Sequence, residues 1–261
     1  MTPEAVASFA SLMVKVDPPV AWISLYHPPL NVIDIPMMEE LARSLAEIDA
    51  RPEVSVLVLS GEGKAFSAGV DVAAHTPDKV GEMLAKFHAV IRAVVAAKKV
   101  TIAAVHGNCL GGGAELAMVC DMAFTTDSAQ WGFPEIKLGC YPPVACTALA
   151  ALVGQKRAAE LILTGRTIDG KEAAEIGLAN RAVPESDLDA AVEECLGHLR
   201  KLSPAALASA KRASYAWDSM HFDKGLARAE RVYFDDLMKT EDAHEGICAF
   251  MEKREPKWTG K

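Results

Sequence analysis

The 261-residue chain lacks long hydrophobic runs and an excess of basic charge. Lys, Glu or Asp interrupts every apolar stretch before it reaches the roughly eighteen residues that a membrane helix needs, so we expect no membrane anchor. The formal net charge of -8 disfavours nucleic-acid binding, because proteins that bind nucleic acid carry a basic face. This composition agrees with a soluble enzyme.

Cysteine and histidine are present but form no recognisable ligand motif. The six cysteines include no C-x-x-C pair, which indicates reduced core residues. The histidines form no H-x-x-x-H pattern, so we expect no metal. Residues 1–12 contain one glutamate and no Arg or Lys, so we expect no secretory or mitochondrial presequence and a cytoplasmic location.

A glycine-rich loop lies between a β-branched apolar run and a second apolar run. Residues 100–105 predict a buried strand, Gly111-Gly112-Gly113 predicts a turn, and Glu115 opens a run typical of a buried helix. A loop at a helix N-terminus presents free N–H groups beside a positive helix end. This arrangement suits a developing negative charge.

Phosphate binding is the first alternative for such a loop, and it fits poorly. A Walker A loop ends in Gly-Lys-Ser/Thr, whereas Ala114-Glu115 stands here, and its carboxylate would repel phosphate. The dinucleotide fingerprint is also absent, since Gly61-Glu62-Gly63-Lys64 lacks the third glycine. Free N–H groups beside a carboxylate suit oxyanion stabilisation and general acid/base chemistry better.

A second strand-end turn, Ala68-Gly69-Val70-Asp71, follows the apolar run at residues 54–59. Two such turns side by side in a sheet would each direct one N–H at a common oxygen. Taken singly, either turn is better explained as a tight packing turn.

Several blocks, in order and at matching spacing, resemble the enoyl-CoA hydratase/isomerase (crotonase) superfamily. The blocks cover nearly the whole chain and lie at residues 66–71, 111–115, 133–135, 164–166, 173–180 and 240–254. The resemblance implies an α/β fold with a crotonase-like stacked ββα core at residues 1–185, which holds the active site. It implies a carboxyl-terminal helical region at residues 186–261 that forms a homotrimer or homohexamer.

The resemblance also implies roles for individual residues. The N–H groups of Val70 and Gly112 would form the oxyanion hole for a thioester carbonyl, and Glu115 and Glu135 would be the catalytic carboxyls. Retention of both glutamates favours hydration over isomerisation. Coenzyme A would be part of the substrate, and no further cofactor is expected.

Contacts with coenzyme A are implied at both ends of the chain. Ala68 would contact the adenine through its backbone, while Phe250 and Lys253 would lie near coenzyme A bound to a neighbouring subunit. The remaining candidate contacts are Leu30, Asp71 and Val72.

The segment Tyr141-Pro142-Pro143-Val144-Ala145 departs from the glycine-rich segment usual in straight-chain hydratases. This segment and the variant at residues 28–35 resemble cyclohexa-1,5-diene-1-carbonyl-CoA hydratases of aromatic degradation. We therefore expect an acyl-CoA hydratase for a cyclic dienoyl-CoA. The alternatives are a straight-chain 2-enoyl-CoA hydratase or isomerase and, from another class, a noncatalytic acyl-CoA or RNA-binding relative. The two intact glutamates favour an enzyme.

The hydrophobic pattern of the last third of the chain predicts helices from residue 187 onward, with breaks at Ser203-Pro204, His221 and Thr240. Their apolar residues exceed what one helical layer can cover, which predicts burial against other subunits. The aromatic members are Tyr215, Trp217, Tyr233, Phe234, Phe250 and Trp258.

Overall fold

The computed structural model describes residues 9–260, except for the side chains of residues 215–221. Over this range the strands form two sheets. The larger sheet has the order β1-β2-β3-β5-β7-β10, in which β1 is antiparallel to β2 and the other pairs are parallel. Its strands are β1 (Leu12–Asp17), β2 (Val20–Leu25), β3 (Val56–Gly61), β5 (Val100–Val105), β7 (Met122–Thr126) and β10 (Arg181–Val183).

The smaller sheet has the order β4-β6-β8-β9, with β9 antiparallel to β8. Its strands are β4 (Ala65–Ser67), β6 (Asn108–Leu110), β8 (Gln130–Gly132) and β9 (Thr167–Asp169). Along the chain, β3, β5 and β7 each lead into a strand of the smaller sheet and then into a helix. This repeated order confirms the predicted stacked ββα architecture.

The helices surround and extend this core. They are α1 (Ile35–Asp49), α2 (Val80–Ala96), α3 (Gly112–Met118), α4 (Pro143–Val153), α5 (Gln155–Thr164), α6 (Gly170–Glu175), α7 (Leu188–Leu199), α8 (Pro204–Asp235) and α9 (Glu241–Met251). Short 3-10 helices at Val72–His75 and Pro134–Leu138 precede α2 and α4. Within the described residues, no helix is both long and apolar enough to cross a membrane.

The larger sheet is buried on both faces. In β3, Leu57 and Leu59 belong to the main core, whereas Val56 and Val58 join a second cluster with Leu196 of α7. Successive side chains of a strand point to opposite faces, so α7 covers the face opposite the main core. The boundary predicted near residue 185 stays a prediction, and α7 packs directly against the core sheet.

Two expectations for the carboxyl-terminal helices need correction. The predicted break at His221 is wrong, because α8 runs continuously from Pro204 to Asp235 and histidine, unlike proline, keeps its backbone N–H. Tyr233 is only 1% exposed within its own chain, so its burial needs no second subunit. Exposed aromatics remain at Phe234, Phe250 and Trp258, while the side chains of Tyr215 and Trp217 lie outside the described residues.

Candidate active site

The turns that follow β4 and β6 touch each other. These strands are parallel neighbours, so their carboxyl ends lie side by side at one edge of the smaller sheet. Gly69 has φ +105°, and a Cβ there would lie 2.9 Å from the Leu110 carbonyl oxygen and 3.6 Å from the Gly112 nitrogen. Only a glycine permits this approach, and the expected side-by-side arrangement of the two turns is present.

Each turn leaves one backbone donor free. Gly112 is the first residue of α3, where N–H groups have no intrahelical acceptor. Val70 forms an isolated β-bridge with Ile33. The Ile33 carbonyl accepts the Asp71 N–H, and the Ile33 N–H donates to the Gly69 carbonyl. The bridge therefore does not use the Val70 N–H. Among the described residues, neither the Val70 nor the Gly112 N–H has a hydrogen-bond acceptor. Both residues line the same cavity.

Glu115 lies in the first turn of α3 and is 3% exposed. Its Oε1 accepts hydrogen bonds from the backbone N–H groups of Val144 and Ala145, each at 2.9 Å, at the start of α4. Burial raises the pKa of Glu115 to about 7, and the two donated hydrogen bonds oppose that rise because they stabilise the carboxylate. Glu115 is therefore able to hold or release a proton near neutral pH.

Glu135 lies in the 3-10 helix Pro134–Leu138 and faces the same cavity. Gly111 has φ +51°, and a Cβ at this position would lie 2.7 Å from Glu135 Oε1, so the carboxyl group packs directly on the glycine backbone. Its Oε2 is buried and has no hydrogen-bond partner in the described part of the chain. Burial first, and then repulsion from Glu115, raise the pKa of Glu135 well above its usual range.

The cavity has a volume of about 470 Å³. Its walls include seven of the ten residues selected from the sequence: Ala68, Val70, Val72, Gly112, Glu115, Glu135 and Phe250. The cavity thus brings together both carboxyl groups and both free N–H groups. Phe250 lines the cavity of its own chain, and the role predicted for it in a neighbouring subunit stays a prediction.

The other three selected residues are not among the described residues that line the cavity. The Leu30 carbonyl accepts the Ala68 N–H at 2.9 Å, and Asp71 Oδ1 accepts the Ala73 N–H at 3.0 Å as a cap of the first 3-10 helix. Lys253 follows α9 with φ +55°. Leu30 and Asp71 therefore hold the turn at residues 68–71 in place, whereas Lys253 lies beyond the end of a helix.

Several lining residues were not identified as site residues from the sequence. Tyr233 of α8 packs edge to face on Tyr141 with ring centroids 5.1 Å apart, and Tyr141 Oη donates to the Ala229 carbonyl at 2.6 Å. These contacts tie the Tyr-Pro-Pro segment to a helix almost ninety residues further along the chain. The other overlooked lining residues include His75, Lys137, Cys140 and Arg254. No local pattern around them marks a site.

Metal ligation is not among the roles that the described side chains support. No group of three or more His, Cys, Asp or Glu residues in the described ranges could hold a metal ion. The cavity does bring together two carboxyls with raised pKa values and two free backbone donors.

A family model described as enoyl-CoA hydratase/isomerase matches residues 16–261. The chain belongs to the enoyl-CoA hydratase/isomerase family. A Mycobacterium tuberculosis protein named probable enoyl-CoA hydratase is 36% identical over 97% of this chain and 99% of that protein. The cyclohexa-1,5-dienecarbonyl-CoA hydratase of Thauera aromatica is 34% identical over 92% of each chain.

A solved structure agrees with the fold. The crystal structure of an enoyl-CoA hydratase from Mycobacterium avium subsp. paratuberculosis has a TM-score of 0.87 and 26% identity, and covers 97% of this chain and 100% of that chain. The relatives are named as hydratases, which are hydro-lyases, so the prediction of an enzyme of this type is confirmed. The family comparison does not single out one acyl group.

Proposed function

We propose that this enzyme adds water to the double bond of an α,β-unsaturated coenzyme A thioester, with a cyclic dienoyl-CoA as its preferred substrate. The observation that carries the proposal is the convergence of two buried carboxyl groups and two free backbone donors in one cavity. The near-equal similarity to hydratases with and without a named cyclic substrate leaves a straight-chain 2-enoyl-CoA as the second candidate.

The two free N–H groups suit the thioester oxygen. As water adds to the β-carbon, the π electrons move toward the thioester and negative charge develops on its carbonyl oxygen. Hydrogen bonds from Val70 and Gly112 would stabilise that charge. Removal of one such donor typically costs about 3–4 kcal/mol of transition-state stabilisation.

The environments of the two glutamates divide the acid and base roles. Glu115 receives two N–H hydrogen bonds on one oxygen, which favours its ionised form, so it takes a proton from the attacking water. Glu135 has no such donor on Oε2, so it keeps its proton and delivers it to the α-carbon. The new C–O and C–H bonds account for one water. A proton transfer from Glu115 to Glu135, through the next water, restores the starting state.

We assign coenzyme A to the mouth of this cavity. Its adenine and pantetheine portions would contact the Ala68 backbone and the neighbouring residues Leu30, Asp71 and Val72, at the turn of residues 68–71. Phe250 and Lys253 of the carboxyl-terminal region would contribute from a neighbouring subunit of a homotrimer or homohexamer. Exposed apolar side chains in this region, including the half-exposed Trp258, support an assembly.

The ring preference rests on the wall beside Glu115. Pro143 is the first residue of α4, where proline fixes the helix entry, and the next two N–H groups hold the Glu115 carboxyl. Tyr141, whose hydroxyl group is hydrogen-bonded to α8, adds a bulky ring beside the prolines. A rigid and bulky wall favours a compact ring over an extended chain.

The test compares kcat/KM for cyclohexa-1,5-diene-1-carbonyl-CoA and crotonyl-CoA. Pocket differences of this kind discriminate by about 10–200-fold, and we expect the ring to be favoured within that range. Pro143→Gly should lower the ratio because it loosens the wall. Pro204→Gly is the matched control, since Pro204 likewise begins a helix but is exposed. A wild-type preference for crotonyl-CoA would refute the ring assignment while leaving the hydratase assignment intact.

A further inference from the structure

His75 contributes a polar group to an otherwise apolar wall of the cavity. It is the last residue of the 3-10 helix Val72–His75, which follows the turn at residues 68–71. Among the described lining residues between positions 68 and 87, His75 is the only one whose side chain carries nitrogen or oxygen. Its neighbours on this wall are Val72, Met83, Leu84 and Phe87. The chemistry proposed for the two glutamates makes no use of this imidazole.

The hydrogen bond of His75 fixes which ring nitrogen carries the proton. Nδ1 lies 3.1 Å from the Asp71 carbonyl oxygen, and a carbonyl only accepts, so Nδ1 is the donor. Burial lowers the pKa of His75, so the ring is neutral at neutral pH and Nε2 is an unprotonated acceptor. Within the described residues, Nε2 has no hydrogen-bond partner, and it is not one of the buried atoms that lack a partner, so it is open to water or to a ligand in the cavity.

Water can satisfy this acceptor in the free enzyme. A ligand that displaces the water leaves Nε2 without a hydrogen bond unless the ligand itself supplies a donor. Plain carbon chains and the thioester carbonyl carry no donor, and a hydroxyl group is the simplest neutral donor that an acyl group can add.

We propose that His75 is a specificity residue whose Nε2 accepts a hydrogen bond from a hydroxyl group on the acyl portion of the thioester. For a ring or a chain of given size, a thioester with an added hydroxyl group on the acyl portion would then bind more tightly than its parent. This inference rests on the proposed function only in placing the acyl group in this cavity. The Asp71 carbonyl sets the tautomer, so the same turn that carries the Val70 N–H also orients the acceptor.

The test uses saturated thioesters, whose binding does not require turnover. The probes are cyclohexanecarbonyl-CoA with its 3- and 4-hydroxy derivatives, and hexanoyl-CoA with its 5- and 6-hydroxy derivatives. Calorimetry gives Kd for each. At least one hydroxylated probe should bind about 3- to 10-fold more tightly than its parent, as one added neutral hydrogen bond provides.

His75→Leu should reduce that Kd ratio to about one, and His75→Gln should restore part of it through the amide carbonyl oxygen. Met83→Leu is the matched control, because it reshapes the same wall without a polar atom and should preserve the ratio. The inference is wrong if no hydroxylated probe binds more tightly than its parent, or if His75→Leu keeps the ratio. Hydration assays on enoyl-CoA thioesters test the proposed function separately. The proposed function and the role of His75 can therefore be refuted independently of each other.

Discussion

Gly111→Ala should inactivate the enzyme by moving one carboxyl group. Gly111 has φ +51° and ψ -129°, a conformation that L side chains rarely adopt. A Cβ at this position would lie 2.7 Å from Glu135 Oε1, where ordinary van der Waals contact begins at 3.4 Å. Glu135 Oε1 must therefore retreat by about 0.7 Å, which is the difference between these distances.

The substitution has separable effects on stability and on rate. Backbone strain at a glycine-only conformation costs about 1–3 kcal/mol, so the free energy of unfolding should fall by that amount. The clash itself adds little to this loss of stability, because the end of the flexible Glu135 side chain can move away. A misplacement on the order of 1 Å in a catalytic group costs about 100-fold in rate, and we expect a fall in kcat of that size.

Gly154→Ala separates strain from the clash. Gly154 has φ +81°, and no described atom lies within 4 Å of the Cβ that alanine would add. This variant should lose similar stability in urea unfolding but keep its kcat for enoyl-CoA hydration. A folded Gly111→Ala enzyme with wild-type kcat would refute the argument, because the position of Glu135 on Gly111 would then be irrelevant to catalysis.

The remaining predictions concern the two carboxyl groups. Glu115→Gln and Glu135→Gln should each lower kcat by about 10²–10⁴-fold while Kd for a saturated acyl-CoA changes little, and the exposed Glu175→Gln should behave as wild type. Near-full activity in either active-site variant would remove that residue from the mechanism. The pH profile of kcat/KM should rise through about pH 7 as Glu115 loses its proton, and should fall at higher pH as Glu135 loses its own. Because the folded pKa of Glu115 is raised from 4.5 to about 7, its contribution to stability is complete below pH 4.5 and is lost as pH rises through 7. Urea unfolding should therefore show Glu115→Gln gaining on the order of 3 kcal/mol relative to wild type across this range, and a constant difference would contradict the raised pKa.

Local pattern in the sequence predicts the frame of the site, and the family resemblance supplies the roles of its single residues. The strand at residues 100–105 and the turn at residues 111–113 follow from β-branched runs and glycines, which act within a few residues of the chain. The pairing of the two turns also follows, because parallel strands align their carboxyl ends. Local physics therefore predicts free N–H groups at this loop, whereas the choice of Gly112 among them rests on the family resemblance.

The groups that depend on long-range packing could not be predicted in this way. Tyr233 reaches the cavity because α8 returns to pack on the Tyr141 segment, and nothing within α8 distinguishes this tyrosine from the exposed Phe234 beside it. His75 lies near the turn at residues 68–71 in sequence. Its proposed role, however, depends on its place in the cavity wall and on the hydrogen bond between Nδ1 and the Asp71 carbonyl. The presence of a histidine in the sequence predicts neither its place in the wall nor its hydrogen-bonded nitrogen.

In the proposed mechanism, the contrast between the two glutamates explains how one residue type would take two roles. Glu115 is fixed by its own helix and by N–H groups from the start of α4, where the Pro-Pro segment sets the helix entry. Glu135 is fixed by contact with a glycine backbone and receives no donor on Oε2. A donor pair stabilises charge and an unpartnered oxygen disfavours it, so the different surroundings of the two carboxyls separate their proton affinities. The difference between acid and base therefore lies in the backbone around the carboxyls.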